Sequence, residues 1–580
     1  MASRGPDGSG AWTSTAGDAA LGHRRLAIID LSDAGAQPMS CGDGRYHIAH
    51  NGEIYNYREL REALATEGAV FRSSSDTEVL LALYERHGVE MLSRLRGMYA
   101  FAIWDSQLHR LFLARDPYGI KPLYYAWDGS TFRFASQVKA LEASGVVSEE
   151  VDPAGLVGFL IWGSVPEPLT IRRAIRALPA GNYLTVGDGC VSEPVAFASL
   201  QVDPVSTSPS VLSPGAAIEE SVRYHLVSDV PVGAFLSSGL DSAVVASLAS
   251  SHLGESLTTL TLRFGPYVGT SLDEGPLAAE VAKTLGTRHV EHMVDRKEFL
   301  HLWRDGLSAM DQPSIDGFNS FVVSSIAHQK GLKVVLSGLG GDELLGGYPS
   351  FRDVPRWARW ARPLARAPWN GTALGRLSKI LIRRPKASGI LRYGGSLPGA
   401  YLLRRGLYLP EELPDLIGPE LAAKGLAAYD PVLEVTASLE QNSVAGSADL
   451  SSWIAVHLME SKHYMRNQLL RDSDWASMAH SLELRVPFVD ATLQGHFATA
   501  DFEPARTRGK ASLLRSVAPE LPAALWKRPK SGFSIPVIDF LDNRDSTVLQ
   551  PSFGNDSRRL ASRVLEDFGI SLRPTRVDPI

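Results

Sequence analysis

Residues 230–253, VPVGAFLSSGLDSAVVASLASSHL, combine an apolar segment, a turn rich in Ser and Gly, and a helix-like segment. The apolar VPVGAF predicts a buried strand, and DSAVVASLASSHL predicts a helix. Ser237, Ser238 and Gly239 let a ligand approach the backbone, and the helix that begins near Asp241 presents free N–H groups. This junction is typical of a phosphate-binding turn, although a structural turn with a helix cap explains the heptapeptide LSSGLDS equally well.

The segments around this junction continue the same alternation of strands and helices. SLTTLTLRFG (256–265) and KVVLSG (333–338) predict strands, whereas LAAEVAKTLG (277–286) and SSIAHQKG (324–331) predict helices. Strands that alternate with helices favour a doubly wound, mostly parallel sheet. Residues 353–483 predict a helical extension, and the loss of periodicity after about Asp539 predicts a partly disordered C-terminal tail.

A second strand-end loop strengthens the nucleotide interpretation. KVVLSGLGGDELLGGY (Lys333–Tyr348) is a strand followed by Gly residues and the acidic Asp342. Ligands of doubly wound sheets bind at the carboxyl ends of the strands. Asp241 and Asp342 are therefore expected to lie beside one nucleotide, where they can hold Mg²⁺.

The N-terminal half has many short strands and two helical segments, which predicts a layered sandwich. Its helical segments are YRELREALATEG and TEVLLALYERHG. Its strand-like segments are RLAIIDL (Arg25–Leu31), YHIAHNGEIYNY (Tyr46–Tyr57), MYAFAIWD (Met98–Asp105), RLFLARD (Arg110–Asp116) and KPLYYAW (Lys121–Trp127). SLQVDPVSTSPSVLSPG (Ser199–Gly215) has no helical period and predicts a linker.

Length and composition restrict the class of protein. A chain of 580 residues predicts at least two domains, and a net charge of −6 argues against binding to nucleic acid or to anionic membranes. No apolar run has the length of a membrane span, and two cysteines cannot form a disulfide framework. These features favour a cytoplasmic, multi-domain enzyme.

The motifs together resemble the glutamine-dependent asparagine synthetases. The matching stretches are RGPDG, GHRRLAIIDL, NGEIYNYREL, SSSDTEVLLALYERHG, RDPYGIKPLYY, LSSGLDS, LSGLGGDELLGGYPSF, SMAHSLELRVPFVD and KRPKSGFSIP, which run from residue 4 to about 536. The resemblance implies a glutamine amidotransferase domain with an αββα sandwich, of the N-terminal-nucleophile type, over residues 1–198. It implies a linker at 199–215, an ATP-pyrophosphatase synthetase domain at 216–540 and a tail at 541–580.

The resemblance also implies a reaction and its partners. Aspartate and ATP would form β-aspartyl-AMP, and ammonia from glutamine would convert this intermediate to asparagine, with Mg²⁺ as the metal. The expected partners are therefore small molecules, and the quaternary state stays open, with a homodimer as one form.

By position, the resemblance assigns residues to both sites. The expected ATP-binding residues are Leu236, Ser237, Ser238, Gly239, Asp241, Ser242, Leu262, Ser337 and Gly338, with Asp241 and Asp342 as metal ligands. The expected glutamine-binding residues are Arg25, Asn51, Gly52, Glu53 and Asp76, with Asn51 and Gly52 as the oxyanion hole. From the residues alone, Asn51-Gly52 would be a hairpin turn and Arg25 a solvated charge.

Two departures from the family bear on the acceptor acid. Leu339 stands where many relatives carry Glu or Asp, and Glu343 is the nearest replacement. Trp475 stands where many relatives carry Lys or Arg, so Arg471, Lys510, Lys527 or Lys530 would have to offset the charge on AMP and pyrophosphate. In LSSGLDS, Ser238 also replaces a glycine of the family's LSGGxDS.

A third departure concerns the glutaminase nucleophile. In the family, RGPDG follows a few dozen residues that begin Met-Cys-Gly, and the cysteine attacks glutamine with its own α-amine as base. Here Ala2 follows Met1, and Cys41 lies in a turn-rich loop. Two explanations stay open: a sequence shortened at its start, which the complete glutamine pocket favours, or a natural form that uses ammonia or another amine. As written, the chain is expected to lack the first strands of the sandwich and glutaminase activity.

Two other functions remain as alternatives. An amide ligase of specialised metabolism, similar to the β-lactam synthetases, would explain the absent nucleophile but not the retained glutamine motifs. A catalytically impaired paralogue that acts as a binding partner has only Leu339 and Trp475 in its favour.

Overall fold

The structure is a computed structural model, and it describes residues 1–199, 212–365, 389–390, 392–440, 451–497, 509–528, 535–542 and 553–573. Among these residues no helix has both the length and the apolar character needed to cross a bilayer. Lys530 and most of the predicted linker lie outside the described residues.

The N-terminal half contains twelve strands and four α-helices within residues 1–199. The strands are β1 Gly8–Thr13, β2 Ala20–Arg25, β3 Met39–Ser40, β4 Tyr46–Ile54, β5 Gly97–Asp105, β6 Arg110–Arg115, β7 Tyr124–Trp127, β8 Phe132–Ala135, β9 Arg176–Ala177, β10 Asn182–Gly187, β11 Cys190–Val191 and β12 Val195–Ala196. The helices are α1 Tyr57–Thr66, α2 Asp76–His87, α3 Val138–Glu142 and α4 Pro153–Trp162, and short 3₁₀ turns span Ala2–Arg4, Asp33–Gly35 and Gly88–Arg94.

These elements form the predicted αββα layers. The central antiparallel sheet has the order β11-β10-β6-β5-β4-β3, with β12 paired to β10. Along β5, Phe101 and Ile103 face the core under α1 and α2, whereas Ala102 and Trp104 face the small β1-β2 and β8-β7-β9 sheets. This period-two alternation fills both faces of one strand with apolar side chains. Helix α3 covers the outer face of the β8-β7-β9 sheet.

The strand predicted at Arg25–Leu31 is wrong beyond its first residue. Strand β2 ends at Arg25, and Asp30 adopts a positive φ of 54°. The backbone N–H of Ala27 donates to Asp7 Oδ2, and that of Asp30 donates to Asp229 Oδ2. Carboxylates replace a neighbouring strand as hydrogen-bond acceptors, so residues 27–29 are buried without sheet pairing, whereas Leu31 is exposed.

The C-terminal half contains five strands and eighteen α-helices within the described residues. The strands are β13 Val232–Phe235, β14 Thr258–Phe264, β15 Arg288–Val294, β16 Val334–Leu336 and β17 Glu483–Arg485. The helices are α5 Pro214–His225, α6 Leu240–Leu253, α7 Gly275–Leu285, α8 Arg296–Ala309, α9 Phe318–Gln329, α10 Gly341–Leu345, α11 Ser350–Ala365, α12 Leu397–Arg405, α13 Leu413–Ile417, α14 Pro419–Ala428, α15 Pro431–Glu440, α16 Ser452–Met459, α17 Arg471–Met478, α18 Ala491–Phe497, α19 Lys510–Val517, α20 Ala523–Lys527, α21 Val537–Asp542 and α22 Phe553–Asp567. A π-helical segment, Glu460–Leu470, joins α16 to α17, and 3₁₀ turns span Gly254–Ser256, Gly265–Tyr267 and Pro410–Glu412.

The five strands form a parallel sheet with the order β15-β14-β13-β16-β17. The chain moves outward from β13 through β14 to β15, and then returns to the other side of β13 as β16. Helices α6 and α7 cover one face of the sheet, and α8 and α9 cover the other. The strand order therefore reverses between β13 and β16, where a doubly wound sheet opens a ligand crevice.

Three features of this half differ from the sequence-based expectation. Strand β15 was not predicted because its sequence is rich in polar residues. Strand β17 was not predicted because it is short and follows a long helical region. Within the predicted tail, α22 buries Leu560, Val564 and Leu565 in the large apolar core that also contains residues of α8 and α9, called here the main core. Helix α5 begins at Pro214, inside the predicted linker, because the Ser213 hydroxyl accepts the Ala216 N–H.

A buried arginine joins the parallel sheet to the N-terminal half. The Arg485 side chain is fully buried at the end of β17 and donates to the carbonyl oxygens of His225 and Val227. It also pairs with Glu483 at 2.8 Å and lies 4.0 Å from Glu53 of strand β4. One guanidinium thus serves two buried carboxylates that come from the two halves of the chain.

Replacement of this arginine is expected to destabilise the protein strongly. Arg485→Met should lower the free energy of unfolding by about 3–5 kcal/mol, because the buried Glu483 loses its closest cation and Glu53 loses a neighbouring one. Urea unfolding followed by tryptophan fluorescence measures the change. Arg173→Met, which removes an exposed pair with Glu150, should change the stability by less than about 1 kcal/mol. Equal effects of the two substitutions would contradict a special role for Arg485.

Candidate active sites

The N-terminal half encloses a cavity of about 530 Å³ between β2, β4 and the start of α2. All five residues expected to bind glutamine line it: Arg25, Asn51, Gly52, Glu53 and Asp76. Met478 and Glu483 of the C-terminal half also line it, so the cavity extends to the boundary between the halves.

Arg25 is held at the mouth of the cavity by its own loop. Its guanidinium donates to the carbonyl oxygens of Ser32, Ile29 and Asp30. A side chain at Gly35 would overlap this guanidinium, so the glycine leaves room for it. Arg25 is therefore a positioned cation rather than a solvated charge.

Asn51 and Gly52 lie inside strand β4, so the hairpin-turn alternative is wrong. Gly52 has φ of 139°, and a side chain there would overlap the Met98 carbonyl oxygen on strand β5. The Asn51 side-chain amide donates to Ser136 Oγ at 3.3 Å. The glycine thus permits an unusual backbone bend where the strand borders the cavity.

Two buried carboxylates sit deeper in the cavity wall. Asp76 accepts the Ile54 N–H at 2.9 Å, and burial raises the pKa of Asp76 to about 6. Burial, with the carboxylates of Glu483 and Asp76 nearby, raises the pKa of Glu53 well above its usual range. The cavity floor therefore favours bound cationic groups, which restore the charged form of these acids.

Ion pairs close the floor of the cavity. Arg4 donates both terminal nitrogens to Asp474 of helix α17, at 2.6 and 3.0 Å. Lys121 Nζ lies 3.7 Å from Asp474 and 4.0 Å from Glu483. These contacts place the RGPDG and RDPYGIKP motifs directly on the second half of the chain.

Neither cysteine of the chain lines the cavity. The Cys41 thiol donates to Asp43 Oδ1 at 2.8 Å, and burial together with this carboxylate raises the pKa of the thiol. Cys190 is exposed on β11. A raised pKa disfavours the thiolate, which is the nucleophilic form.

The second site lies at the carboxyl ends of β13 and β16, where the two glycine-rich loops touch. A side chain at Gly338 would lie 2.5 Å from the Ser242 backbone nitrogen. The Ser237 and Ser242 hydroxyls contact each other at 2.8 Å, and the Gly239 N–H donates to Ser237 Oγ. The loop after β13 is thus folded onto the N-terminus of α6. Leu236 and Leu262 are buried at the ends of β13 and β14, and Leu339 N–H donates to Ser337 Oγ in the facing loop.

The two acidic residues of these loops converge on one cation. Lys510, the first residue of α19, places its Nζ 2.5 Å from Asp241 Oδ2 and 2.5 Å from Asp342 Oδ1. The order of strands and helices in the sequence predicted that Asp241 and Asp342 lie close together. The structure adds the lysine between them.

Glu274, which the sequence reasoning did not single out, contacts the loop after β13. It precedes α7, and its Oε1 accepts the Ser238 hydroxyl at 3.3 Å. Burial raises the pKa of Glu274 to about 7. An acidic residue just before the helix that follows β14 is the signal that could have identified it, because β14 is the neighbour of β13 in the sheet. The serine that replaces a glycine in LSSGLDS therefore has a partner.

Comparison with known proteins assigns both halves. Residues 1–195 match the model of the glutamine amidotransferase domain, and residues 215–560 match the model of asparagine synthase. The chain belongs to the asparagine synthase family. Asparagine synthetase [glutamine-hydrolyzing] 1 of Bacillus subtilis is 34% identical, over 93% of this chain and 83% of the relative. Asparagine synthetase B [glutamine-hydrolyzing] of Escherichia coli is 34% identical, over 61% of each chain.

The positions that depart from the family pattern are both packed into the protein. Leu339 packs against the main core, and Trp475 is buried against Phe318 and Phe321. The Trp475 indole N–H donates to Asp472 Oδ1 at 2.9 Å. Trp475 therefore fills space in the core and donates to a buried acid.

The residues expected to compensate for Leu339 and Trp475 lie in different parts of the structure. Glu343 is buried, accepts the Tyr348 hydroxyl at 2.8 Å, and has a pKa raised to about 7 by burial. Arg471 donates to the Val165 carbonyl oxygen, and Lys527 ends α20. Of the three basic replacements within the described residues, Lys510 is the one that contacts the carboxylates of Asp241 and Asp342, called here the strand-end carboxylates.

Proposed function

We propose that the chain activates the β-carboxylate of aspartate with ATP and converts β-aspartyl-AMP to asparagine. The observation that carries the proposal is the convergence of Asp241 and Asp342 on one cation, beside the N-terminus of α6. A carboxylate oxygen of aspartate would attack the α-phosphorus of ATP, and pyrophosphate would leave. Ammonia would then attack the acyl carbon, AMP would leave, and one proton would be released.

The nucleotide would lie across the two loops. Leu236 and Leu262 would contact the adenine, and the N-terminal N–H groups of α6 would bind the departing pyrophosphate. The groups expected to line the phosphates are Ser237, Ser238, Gly239, Ser242, Ser337 and Gly338. Their hydroxyls and small side chains leave the backbone accessible and supply hydrogen bonds to phosphate oxygens.

Mg²⁺ fits the residues present. Asp241 and Asp342 already share one cationic partner, and phosphate and water oxygens can complete the octahedral coordination that Mg²⁺ prefers. No group of three or more potential metal-binding side chains occurs among the described residues, which suits a metal held largely by its nucleotide. When bound, Mg²⁺ would neutralise the charge on the departing pyrophosphate.

The cavity is proposed as a glutamine pocket. Arg25 would bind the α-carboxylate, and Asp76 would bind the α-ammonium group. Asn51 and Gly52 would face the amide oxygen, with Glu53 in the same wall. The hydrogen bonds of Arg25 to three carbonyl oxygens use Nη1 once and Nη2 twice, so its Nε–H and second Nη1 hydrogen would make this contact.

The proposed partners are small molecules. The proposed location is the cytoplasm, where ATP and aspartate are supplied. The homodimer and the exclusion of nucleic acid stay predictions from the sequence. The domain boundaries at 198, 215 and 540 likewise stay proposals.

A second candidate function is an amide ligase with a different acceptor acid. The observation that favours it is the packing of Leu339 and Trp475, which removes two charged groups from a site that handles aspartate in many relatives. Stimulation of ATP consumption by another carboxylic acid, without stimulation by aspartate, would select this candidate.

Removal of one strand-end carboxylate is expected to abolish activation. Asp241→Ala should reduce aspartate-dependent ATP–pyrophosphate exchange by about a hundredfold or more, because a group that holds transition-state charge is lost. Asp128→Asn, which alters an exposed loop paired with Arg133, should leave exchange unchanged. Exchange above about a tenth of the unmodified rate, a barrier change under roughly 1.4 kcal/mol, would refute the metal assignment.

The nitrogen donor is expected to be ammonia for this 580-residue chain. Neither Cys41 nor Cys190 lines the cavity, so no thiol is placed to attack a bound amide. Asparagine should form with ammonium salts, and glutamate should not be released from glutamine, as chromatography of the products would show. Cys41→Ala should change neither result. Glutamate release that disappears in Cys41→Ala would identify an internal nucleophile instead.

Glutamine binding in the cavity is expected to depend on pH. Burial raises the pKa of Asp76 to about 6, so its carboxylate is charged above pH 6 and neutral below it. The dissociation constant of glutamine, measured by calorimetry, should rise by up to about tenfold per pH unit below 6. Asp76→Asn keeps an oxygen for the Ile54 N–H and should bind weakly at every pH. An unchanged pH profile in this variant would assign the titration to another group, such as Glu53.

A further inference from the structure

Helix α11 presents to solvent a face that consists mainly of arginine. Six residues of the segment 350–363 are exposed and none of them is acidic: Arg352, Arg356, Arg359, Trp360, Arg362 and Pro363. These residues are called here the arginine face. The single acidic residue of the helix, Asp353, is half-buried and pairs with Arg352 at 3.0 Å and with Arg404 at 3.6 Å.

The opposite side of α11 attaches the helix to the protein. Val354 is buried with residues of α12 and α16, and Ala361 is buried two turns later. Since a helix turns by about 100° per residue, Arg352, Arg356 and Arg359 fall within a sector of about 60° on the side away from Val354. The packing of α11 on the protein therefore does not use the arginine face.

The chain itself leaves much of the charge on this face without a counterion. Within the described residues, Arg356, Arg359 and Arg362 form no ion pair. The sequence that follows, 366–388, contains six Lys or Arg and no Asp or Glu. The arginines are three or four positions apart, where like charges on a helix repel each other. A net charge of −6 for the whole chain thus coexists with a local excess of positive charge, which favours an anionic partner.

Apolar side chains accompany these arginines. Trp360 is 74% exposed, more than any other tryptophan within the described residues. Ile390 is also exposed, and it lies beside α11, because Gly394 approaches both Ile390 and Ala361. An indole and an aliphatic side chain next to guanidinium groups suit the boundary between lipid headgroups and acyl chains. Single-stranded nucleic acid, by contrast, is usually held in a groove, whereas the exposed face of a helix is convex.

We propose that the arginine face of α11 binds the surface of an anionic phospholipid bilayer. Arg356, Arg359 and Arg362 contact lipid phosphates, which a guanidinium can bind through two parallel N–H bonds. Trp360 and Ile390 enter the headgroup region beside them. The helix lies along the bilayer and does not cross it, since its apolar side is packed on the protein. The proposal assigns a surface that neither candidate active site uses.

Vesicle binding by the full chain tests this proposal. Sedimentation is compared for vesicles of phosphatidylcholine alone and for vesicles of phosphatidylcholine and phosphatidylglycerol in equal amounts. The double variant Arg356→Gln/Arg359→Gln removes two charges from the arginine face. Its matched control, Arg288→Gln/Arg304→Gln, removes two exposed arginines of β15 and α8 that form no ion pair within the described part of the chain. Thermal unfolding should be alike for both, because exposed substitutions change stability little.

The unmodified protein should bind the mixed vesicles at least about tenfold more tightly than vesicles of phosphatidylcholine alone, and added NaCl should weaken this binding. Arg356→Gln/Arg359→Gln should bind the mixed vesicles about twentyfold more weakly, since each arginine near an anionic surface contributes roughly fivefold. The control Arg288→Gln/Arg304→Gln should stay within about twofold of the unmodified protein.

The position of Trp360 has its own readout. Mixed vesicles whose phosphatidylcholine is brominated on the acyl chains should quench the tryptophan fluorescence of the bound protein. Trp360→Phe should keep most of the vesicle binding and lose most of this quenching. Trp127→Phe, which replaces a less exposed tryptophan of β7, should leave the quenching unchanged.

The other results would overturn the proposal in part or as a whole. Absence of binding to the mixed vesicles, or equal weakening by both double variants, would refute the bilayer surface. Unaltered quenching in Trp360→Phe would refute the placement of Trp360 among the headgroups. A single-stranded oligonucleotide that binds more tightly than the vesicles at equal phosphate concentration, and no longer binds Arg356→Gln/Arg359→Gln, would assign the arginine face to nucleic acid instead.

Discussion

The close approach of the two strand-end loops is the contact on which the synthetase half depends. Gly338 lies against the backbone of Asp241 and Ser242, and any side chain at that position would push the loops apart. The contact follows from the strand order, since β13 and β16 are neighbours whose connections leave in opposite directions. It brings Asp241 and Asp342 within reach of a single cation beside the N-terminus of α6. The nucleotide chemistry proposed for this half requires both features.

The boundary between the halves is built from buried ion pairs. Arg4 pairs with Asp474, Lys121 lies between Asp474 and Glu483, and Arg485 pairs with Glu483 near Glu53. Buried pairs add little net stability compared with apolar packing, but the loss of one partner is strongly unfavourable. They therefore oppose sliding of one half over the other. Four members of this network, Arg4, Glu53, Lys121 and Glu483, also line the cavity.

The local sequence predicted most of the elements and several of their chemical roles, and its errors have identifiable causes. Residues 27–29 of the predicted strand are buried, but the carboxylates of Asp7 and Asp229 accept the N–H groups that a strand partner would have taken. The helix Phe553–Asp567 was missed because its apolar face is recognisable only against the core that it covers. Asn51-Gly52 has the local signature of a turn, yet cross-strand pairing with β5 keeps it in a strand.

Residue type and spacing alone determined the two-part organisation, the parallel sheet with its phosphate-type turn, and the identity of Asp241 and Asp342 as a pair. Each strand, turn and helix is encoded within a short segment, and the carboxyl ends of parallel strands share one edge of a sheet, which is why the two acidic loops could be paired. Only the tertiary structure decided that Lys510 bridges that pair, that Glu274 receives the Ser238 hydroxyl, and that Trp475 is buried rather than exposed to substrate. The physical reason is distance along the chain: Lys510 is 269 residues from Asp241, and no local pattern specifies which charged groups meet when separate segments pack together.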